Sequence, residues 1–327
     1  MRIGLTFDLR RDWSVQGKEP ADLYAEFDSE ETIAALTETL GELGHEVVAI
    51  GPAARVLPFF ERESADLVFN IAEGLGGRSR ESQVPCLLDL LGVPYTFSGP
   101  LTLAITLDKA MAKRIVAAEG IPTARFAEVC LPADVAAIDL APPLFLKPVH
   151  EGSAKGVSPA SVVTGRAELA ERACALLAAY RQPVLVEEFL AGDEFTVAVL
   201  GSGEAARALG TMKVVVKDDA RNVYGYEAKE NCEELVDYAA PIEPALLARV
   251  EGVALAAYRA LGCLDTGRVD VRCDAHGVPH FLEINPLPGL HPTHSDLPII
   301  AGRRGIAYRD VIAAVLASTC QRFGLPG

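Results

Sequence analysis

The chain has 327 residues, with 30 Lys and Arg against 45 Asp and Glu, for a formal net charge of −15. That length predicts two or three packed units, and a composition that is half apolar and 23% charged is that of a folded globular chain. The acidic balance excludes a nucleic-acid backbone as the main partner. It leaves room for a small anion such as a nucleotide, because a few lysines in one cleft reverse the local potential.

Met1 leads directly into a strand-like run, Arg2–Phe7, so no signal peptide is expected. A long polar connection from Asp8 to Asp28 follows and is a candidate substrate loop. Ile33, Leu36, Leu40 and Leu43 share one face of a predicted helix over Glu30–Leu43. His45–Ile50 and Asp66–Ile71 read as buried strands, and Pro85–Leu91 as a short helix closed by Gly92. Strands alternating with helices predict a small parallel sheet. The uncharged run Leu90–Leu107 is broken by Pro94 and Pro100 and is not a membrane span.

Asp108 is placed as the N-cap of a helix running to Glu119, with Gly120 and Pro122 ending it. Hairpins come next: a strand at Leu144–Lys147, a Gly/Ser loop at Glu151–Ser158, a helix over Arg166–Tyr180, and strands at Val184–Phe189 and Glu194–Leu200. Pro244–Leu261 is an amphipathic helix, and strands at Gly267–Cys273 and His280–Ile284 are joined by the turn Asp274-Ala-His-Gly. The expected fold class is therefore α/β, becoming α+β in the C-terminal part. Seven scattered cysteines without a C-x-x-C pair predict reduced thiols in a cytoplasm, none with a base beside it to make it a nucleophile.

Neither a G-x-x-x-x-G-K-[ST] loop nor a G-x-G-x-x-G turn after the first strand is present. Three stretches carry chemistry instead. In Gly267-Arg-Val-Asp-Val-Arg and Phe281-Leu-Glu-Ile-Asn-Pro, residues two apart share a face, so hairpin pairing would converge Asp270, Glu283 and Asn285 as oxygen donors suited to Mg²⁺, with Arg268 beside them. Lys147 ends an apolar strand, half buried and in need of an anion, with Gly152, Ser153 and Gly156 in the loop behind it. Glu187 and Glu188 end another apolar strand, and Glu194 starts the next, a hinge beside which an adenosine can lie. Each stretch alone is equally what a solvated hairpin would show.

In order, the segments resemble the ATP-grasp superfamily, and within it the D-alanine–D-alanine ligases, over almost the whole chain. The match rests on Leu91-Gly-Val-Pro-Tyr-Thr-Phe-Ser-Gly, Leu107-Asp-Lys, Lys147-Pro-Val-His-Glu-Gly-Ser, Glu194-Phe-Thr-Val-Ala-Val-Leu, Tyr226-Glu-Ala-Lys, Gly267-Arg-Val-Asp-Val and Glu283-Ile-Asn-Pro-Leu-Pro-Gly. The resemblance implies an ATP-grasp fold preceded by a small parallel α/β domain, with units at 1–100, 101–185 and 186–327. It implies Lys109 and Lys147 on the ATP phosphates, Ser153 over them, and Lys229 near the terminal phosphate. Glu187, Glu188 and Leu190 would border the adenine, and Glu194 the ribose. Asp270, Glu283 and Asn285 would hold two Mg²⁺ ions, or Mn²⁺ in their place, and Arg268 with the Gly289 N–H would form the oxyanion site. Asp218–Glu230, with Tyr224 and Tyr226, would be a mobile lid. Amino-acid substrates, no nucleic-acid or membrane partner, and a homodimer, the usual family assembly, are the corresponding expectations.

The departures fall where the family reads its amino acids. No glycine-rich turn with a glutamate follows the first strand, leaving Glu26 or Asp28 to replace that acid. The family's H-G-x-x-G-E-D-G reads Glu73-Gly-Leu-Gly-Gly-Arg-Ser-Arg, and the aromatic residue after Tyr226-Glu-Ala-Lys is Glu230. Glu73 and Glu230 predict a more cationic or differently shaped substrate than D-alanine, unless they are spent on Arg78, Arg80 or Arg10. Ser295 is placed on the second substrate's carboxylate, and His291 and His294 line the pocket; the proline between them argues against a shared zinc ion. The expected activity is a peptide-bond-forming, ADP-releasing ligase acting through an acyl phosphate, with D-alanyl-D-alanine synthesis leading. A relative joining other amino acids in specialised metabolism and a non-catalytic ATP-binding sensor or scaffold are the alternatives.

Overall fold

The computed structural model describes residues 1–13, 20, 22–217, 223, 225, 235–237 and 242–326. The N-terminal unit is a three-stranded parallel sheet in the order β2-β1-β3, built from β1 (Arg2–Thr6), β2 (Glu46–Ala49) and β3 (Leu67–Asn70). Helix α1 (Glu30–Glu42) is started by Ser29, whose side chain accepts the Thr32 N–H, and sends Leu36 and Leu40 into the core. Helices α2 (Ala53–Phe60) and α3 (Gln83–Leu91) follow, the latter closed by Gly92 in the left-handed conformation.

Helix α4 (Pro100–Leu107) runs into α5 (Lys109–Ala118), where Asp108 caps α5 by accepting the Met111 N–H at 3.0 Å. A four-stranded antiparallel sheet then contains β4 (Phe126–Val129), β5 (Leu144–Pro148), β6 (Val162–Val163) and β7 (Val184–Glu188), in the order β4-β7-β5-β6 with α6 (Arg166–Tyr180) against it. The boundary expected at 185–186 lies inside β7, and the central sheet continues to Glu188.

The third sheet has the order β10-β9-β8-β11-β12, from β8 (Glu194–Leu200), β9 (Arg207–Val216), β10 (Val236–Asp237), β11 (Thr266–Cys273) and β12 (Pro279–Asn285). Helix α7 (Pro244–Ala260) covers one of its faces through Val250, Ala254, Ala257 and Tyr258. Its other face meets α8 (Asp296–Arg303), which packs with α9 (Tyr308–Phe323) into the same core as Ile3, Leu5, Leu36 and Phe69 of the N-terminal unit. The chain's two ends thus share one hydrophobic core. Among the described residues no helix is long and apolar enough to cross a membrane.

Candidate active site

The site is built on one hairpin. Strands β11 and β12 pair antiparallel with Asp270 opposite Glu283 and Arg268 opposite Asn285. Because side chains alternate along a strand, these four residues share one face. Thr196, opposite Asp270 on β8, donates its hydroxyl to the Asp270 carboxylate and fixes its direction. Arg268 lies 3.4 Å from Asp270 and also donates to Asp296 at the start of α8.

Two lysines from elsewhere meet this face. The Lys147 ammonium, at the end of β5, is 3.0 Å from Glu283 and 3.4 Å from Glu187. Burial pulls its pKa down, but Glu187 and Glu283 outweigh that and hold it raised. Lys109, the first residue of α5, donates to the Glu151 carbonyl and sits 3.8 Å from Glu283; burial lowers its pKa. Two desolvated cations therefore stand against one acidic hairpin, an arrangement that a polyphosphate with a divalent cation completes in charge.

A cleft opens here, with Phe145 and Lys147 on one wall, Glu187, Glu188 and Leu190 at the end of β7, and Glu194, Asp270, Arg272 and Glu283 opposite. Glu187 is buried and paired to Lys113 at 2.7 Å, whereas Glu188, at the rim of the cleft, meets Arg125 at 3.3 Å. A second cavity of about 500 Å³ adjoins it, lined by Glu26, Asp28, Ser153, Arg268, Asn285, Gly289, His291, His294 and Ser295. The face of one hairpin thus spans both, with Asp270 and Glu283 in the first space and Arg268 and Asn285 in the second. A Cβ at position 289 would lie 2.7 Å from the Ser295 hydroxyl oxygen, so a side chain there would displace that hydroxyl. Ser295 itself accepts the His291 N–H at 3.0 Å.

Comparison with known proteins bears directly on this arrangement. The family described as D-ala D-ala ligase C-terminus matches residues 115–317. The D-alanine--D-alanine ligase of Bordetella avium is 34% identical over 297 residues, covering 90% of each chain. The chain belongs to the D-alanine–D-alanine ligase family. Two solved structures share its fold: a D-alanine--D-alanine ligase from Bacillus anthracis in complex with ATP, at 22% identity and a TM-score of 0.72 over 98% of each chain, and the VanG D-Ala:D-Ser ligase from Enterococcus faecalis, at 21% identity and a TM-score of 0.74 over 97% of this chain and 99% of that one. The fold is accordingly that of ATP-grasp ligases, and the protein is an ATP-dependent, ADP-forming ligase of the D-alanine–D-alanine type.

In this ligase the substrate-side departures resolve into a buried charge cluster. Glu26 does not stand free: its carboxylate accepts from Arg80 at 2.8 Å, from Lys155 at 2.9 Å and from the Gly152 N–H. Burial raises its pKa and Arg80 and Lys155 lower it, leaving it at about 2. Asp28 has the opposite balance, pushed up to about 8 by burial and by Asp8 against the pull of Arg10. Glu73 is raised well above the carboxylate range by burial and by Glu81, Glu26 and Asp28. Of the arginines expected to neutralise Glu73, Arg78 pairs with Asp108 and Arg80 with Glu26 and Glu151, and the pull of Arg80 on Glu73 does not outweigh its burial.

Lys229, Glu230, Tyr224 and Tyr226 lie outside the described residues. Of the segment 218–230, Val223 and Gly225 are described, and Val223 lines the first cleft. Sequence reasoning missed Lys113, Arg272, Lys155 and Asp296. Arg272 was within reach of the period-two argument, since it shares a strand face with Arg268 and Asp270. It donates to the Leu190 carbonyl at 2.7 Å and to Glu194 at 2.8 Å. Nothing local marks Asp296, whose role appears only when α8 docks beside β11.

Proposed function

We propose that this ligase joins two amino acids into a dipeptide, activating the first as an acyl phosphate, with D-alanine as the leading substrate. The observation that carries the reading is the single hairpin face shared by both cavities, since it sets phosphate-binding and carboxylate-binding groups side by side. ATP is assigned to the first cleft, with Lys147 from its wall and Lys109, 3.8 Å from Glu283, on its phosphates, the Leu190 backbone and Glu187 near the base and Glu194 near the ribose. Two carboxylates and one carboxamide on a rigid hairpin suit Mg²⁺: Asp270, Glu283 and Asn285 would hold it, and it would neutralise phosphate charge as the terminal phosphoryl group moves.

The carboxylate of the first amino acid attacks the terminal phosphorus and ADP leaves. The amine of the second attacks the acyl carbon, and phosphate leaves with one oxygen from the original carboxylate. Arg268 and the Gly289 N–H are assigned to the tetrahedral oxyanion, where one donor is typically worth about 3–4 kcal/mol. Positioning does the rest, and no protein nucleophile is required. Ser153 is assigned to the loop over the phosphates, Lys229 to the terminal phosphate, and Ser295 to the second carboxylate.

A second reading, a cationic substrate in place of D-alanine, is favoured by one observation. Asp28 lines the amino-acid cavity with its pKa raised by burial and by Asp8, so a substrate cation placed beside it would favour its charged form. Measuring ADP release with Mg-ATP across single amino acids and pairs, with mass detection of products, tests both readings. Release with D-alanine alone and formation of its dipeptide supports the first. Release confined to diamino acids replaces it with the second, and tight ATP binding without release from any pair contradicts both. Glu283→Ala should lower turnover at least 100-fold whichever substrate is found.

A further inference from the structure

The loop between the two cavities is tied at both ends to a segment of the N-terminal unit. Ala154 lines the nucleotide cleft and Ser153 the second cavity, so this stretch is the wall between them. Its backbone is unusual, with Ser153 at φ +47°, Ala154 at φ +55° and Gly156 at φ +74°, values that surrounding contacts must hold in place.

Those contacts come from residues 22–26. At the front of the loop, Glu26 accepts the Gly152 N–H and takes Lys155 at 2.9 Å and Arg80 at 2.8 Å. Lys155 is 4% exposed and also pairs with Glu151, which in turn takes Gln182 at 2.6 Å. At the back, Asp22 accepts the Gly156 N–H at 2.9 Å and the Tyr180 hydroxyl at 2.8 Å. A Cβ at position 152 would lie 2.6 Å from a Glu26 oxygen, and one at position 156 would lie 2.8 Å from Pro148, so both glycines are sites of close approach.

We propose that Asp22 and Glu26 form a strap that sets the position of the 152–156 loop, with Lys155 as the loop's own anchor. Resting on the ligase reading, this makes Glu26 a positioning residue for the phosphate side and not the acid that takes a substrate ammonium. It also couples the two cavities, because Glu26 and the next residues, Phe27 and Asp28, line the amino-acid side. Coupling of this kind is reciprocal: a filled amino-acid cavity steadies the strap and tightens nucleotide binding, and nucleotide does the same for the amino acid.

The test compares Lys155→Met, Glu26→Gln, their double variant and Asp22→Asn in the full-length protein. Hydrogen exchange over residues 150–158, nucleotide affinity and steady-state kinetics are the readouts. Lys155→Met and Asp22→Asn should each speed exchange in the loop about tenfold and raise KM for ATP several-fold, with a smaller change in kcat. The Glu26→Gln and Lys155→Met effects should be less than additive in the double variant, as for partners in one ion pair. If Lys155→Met leaves exchange and KM for ATP unchanged while Glu26→Gln raises only the amino-acid KM, Glu26 is a substrate acid and the strap is wrong. Should Glu26→Gln fail to fold, Lys155→Met and Asp22→Asn decide the matter. Exchange and nucleotide affinity need no ligation, so failure of the strap is separable from failure of the ligase reading.

Discussion

Two buried carboxylates behave in opposite ways here because of what surrounds them. Glu81 and Glu26 are both shielded from water, yet Glu26 has two cations and an N–H on it, whereas Glu81 is pushed up to about 7. Asp28 follows Glu81, at about 8. Its consequence for stability has a definite sign. An unfolded aspartate loses its proton near pH 4, while folded Asp28 keeps it to about pH 8, so the folded state binds more protons in between and stability falls as pH rises through that window. Asp28→Asn should flatten this slope and raise the stability of the ligand-free protein by about 1–2 kcal/mol at pH 8, with little effect at pH 4. Urea unfolding at the two pH values checks it; equal effects at both would mean that Asp28 titrates normally. At this scale the sequence was readable where a residue's partners lie on its own strand or the next, as for Asp270, Glu283, Arg268 and Asn285. It was not readable for Glu26 and Asp28, whose surroundings come from Arg80, Lys155 and Asp8, remote in the chain.

Elements divide in the same way. Helices with an amphipathic stripe and a capping signal, such as α1 with Ser29 and α5 with Asp108, are found within a residue or so of their predicted ends. The short α4, with a weak period, gave no such signal and α8 is too short to show one, whereas α9 carries a stripe of Val311, Ile312, Val315, Leu316, Thr319 and Cys320 that the predicted elements do not include. The docking of α9 depends on one buried carboxylate. Asp265 accepts from the Phe97 N–H, Ser318, Thr319 and Arg322, all between 2.7 and 3.0 Å. Asp265→Ala removes an acceptor shared by four donor groups, leaving Arg322 with the Tyr95 and Phe97 carbonyls and Thr319 with the Val315 carbonyl, and should cost about 3–5 kcal/mol. A shift in the chemical-denaturation midpoint without a change in slope would bear this out, and a loss under 1 kcal/mol would show that the α9 junction is held by apolar packing alone.

At the scale of the whole molecule, the site lies where three sheets come together: lysines from the central unit, acids from the C-terminal hairpin and the strap from the N-terminal unit. Resemblance of ordered motifs made the architecture legible before any coordinates, because spacing along the chain survives where single residues drift. Substrate identity was not legible, because the motifs depart at Glu73, at Glu230 and in the connection from Asp8 to Asp28, where the family reads its amino acids. The central claim is that a carboxylate becomes an acyl phosphate at this hairpin before the amine attacks. Supplying the accepted amino acid with ¹⁸O in its carboxylate and analysing the released phosphate by mass tests this directly. One ¹⁸O should appear in phosphate for each amide bond formed from fully labelled acid, with ADP as the other product. Phosphate without label, or AMP and pyrophosphate in place of ADP and phosphate, would contradict it.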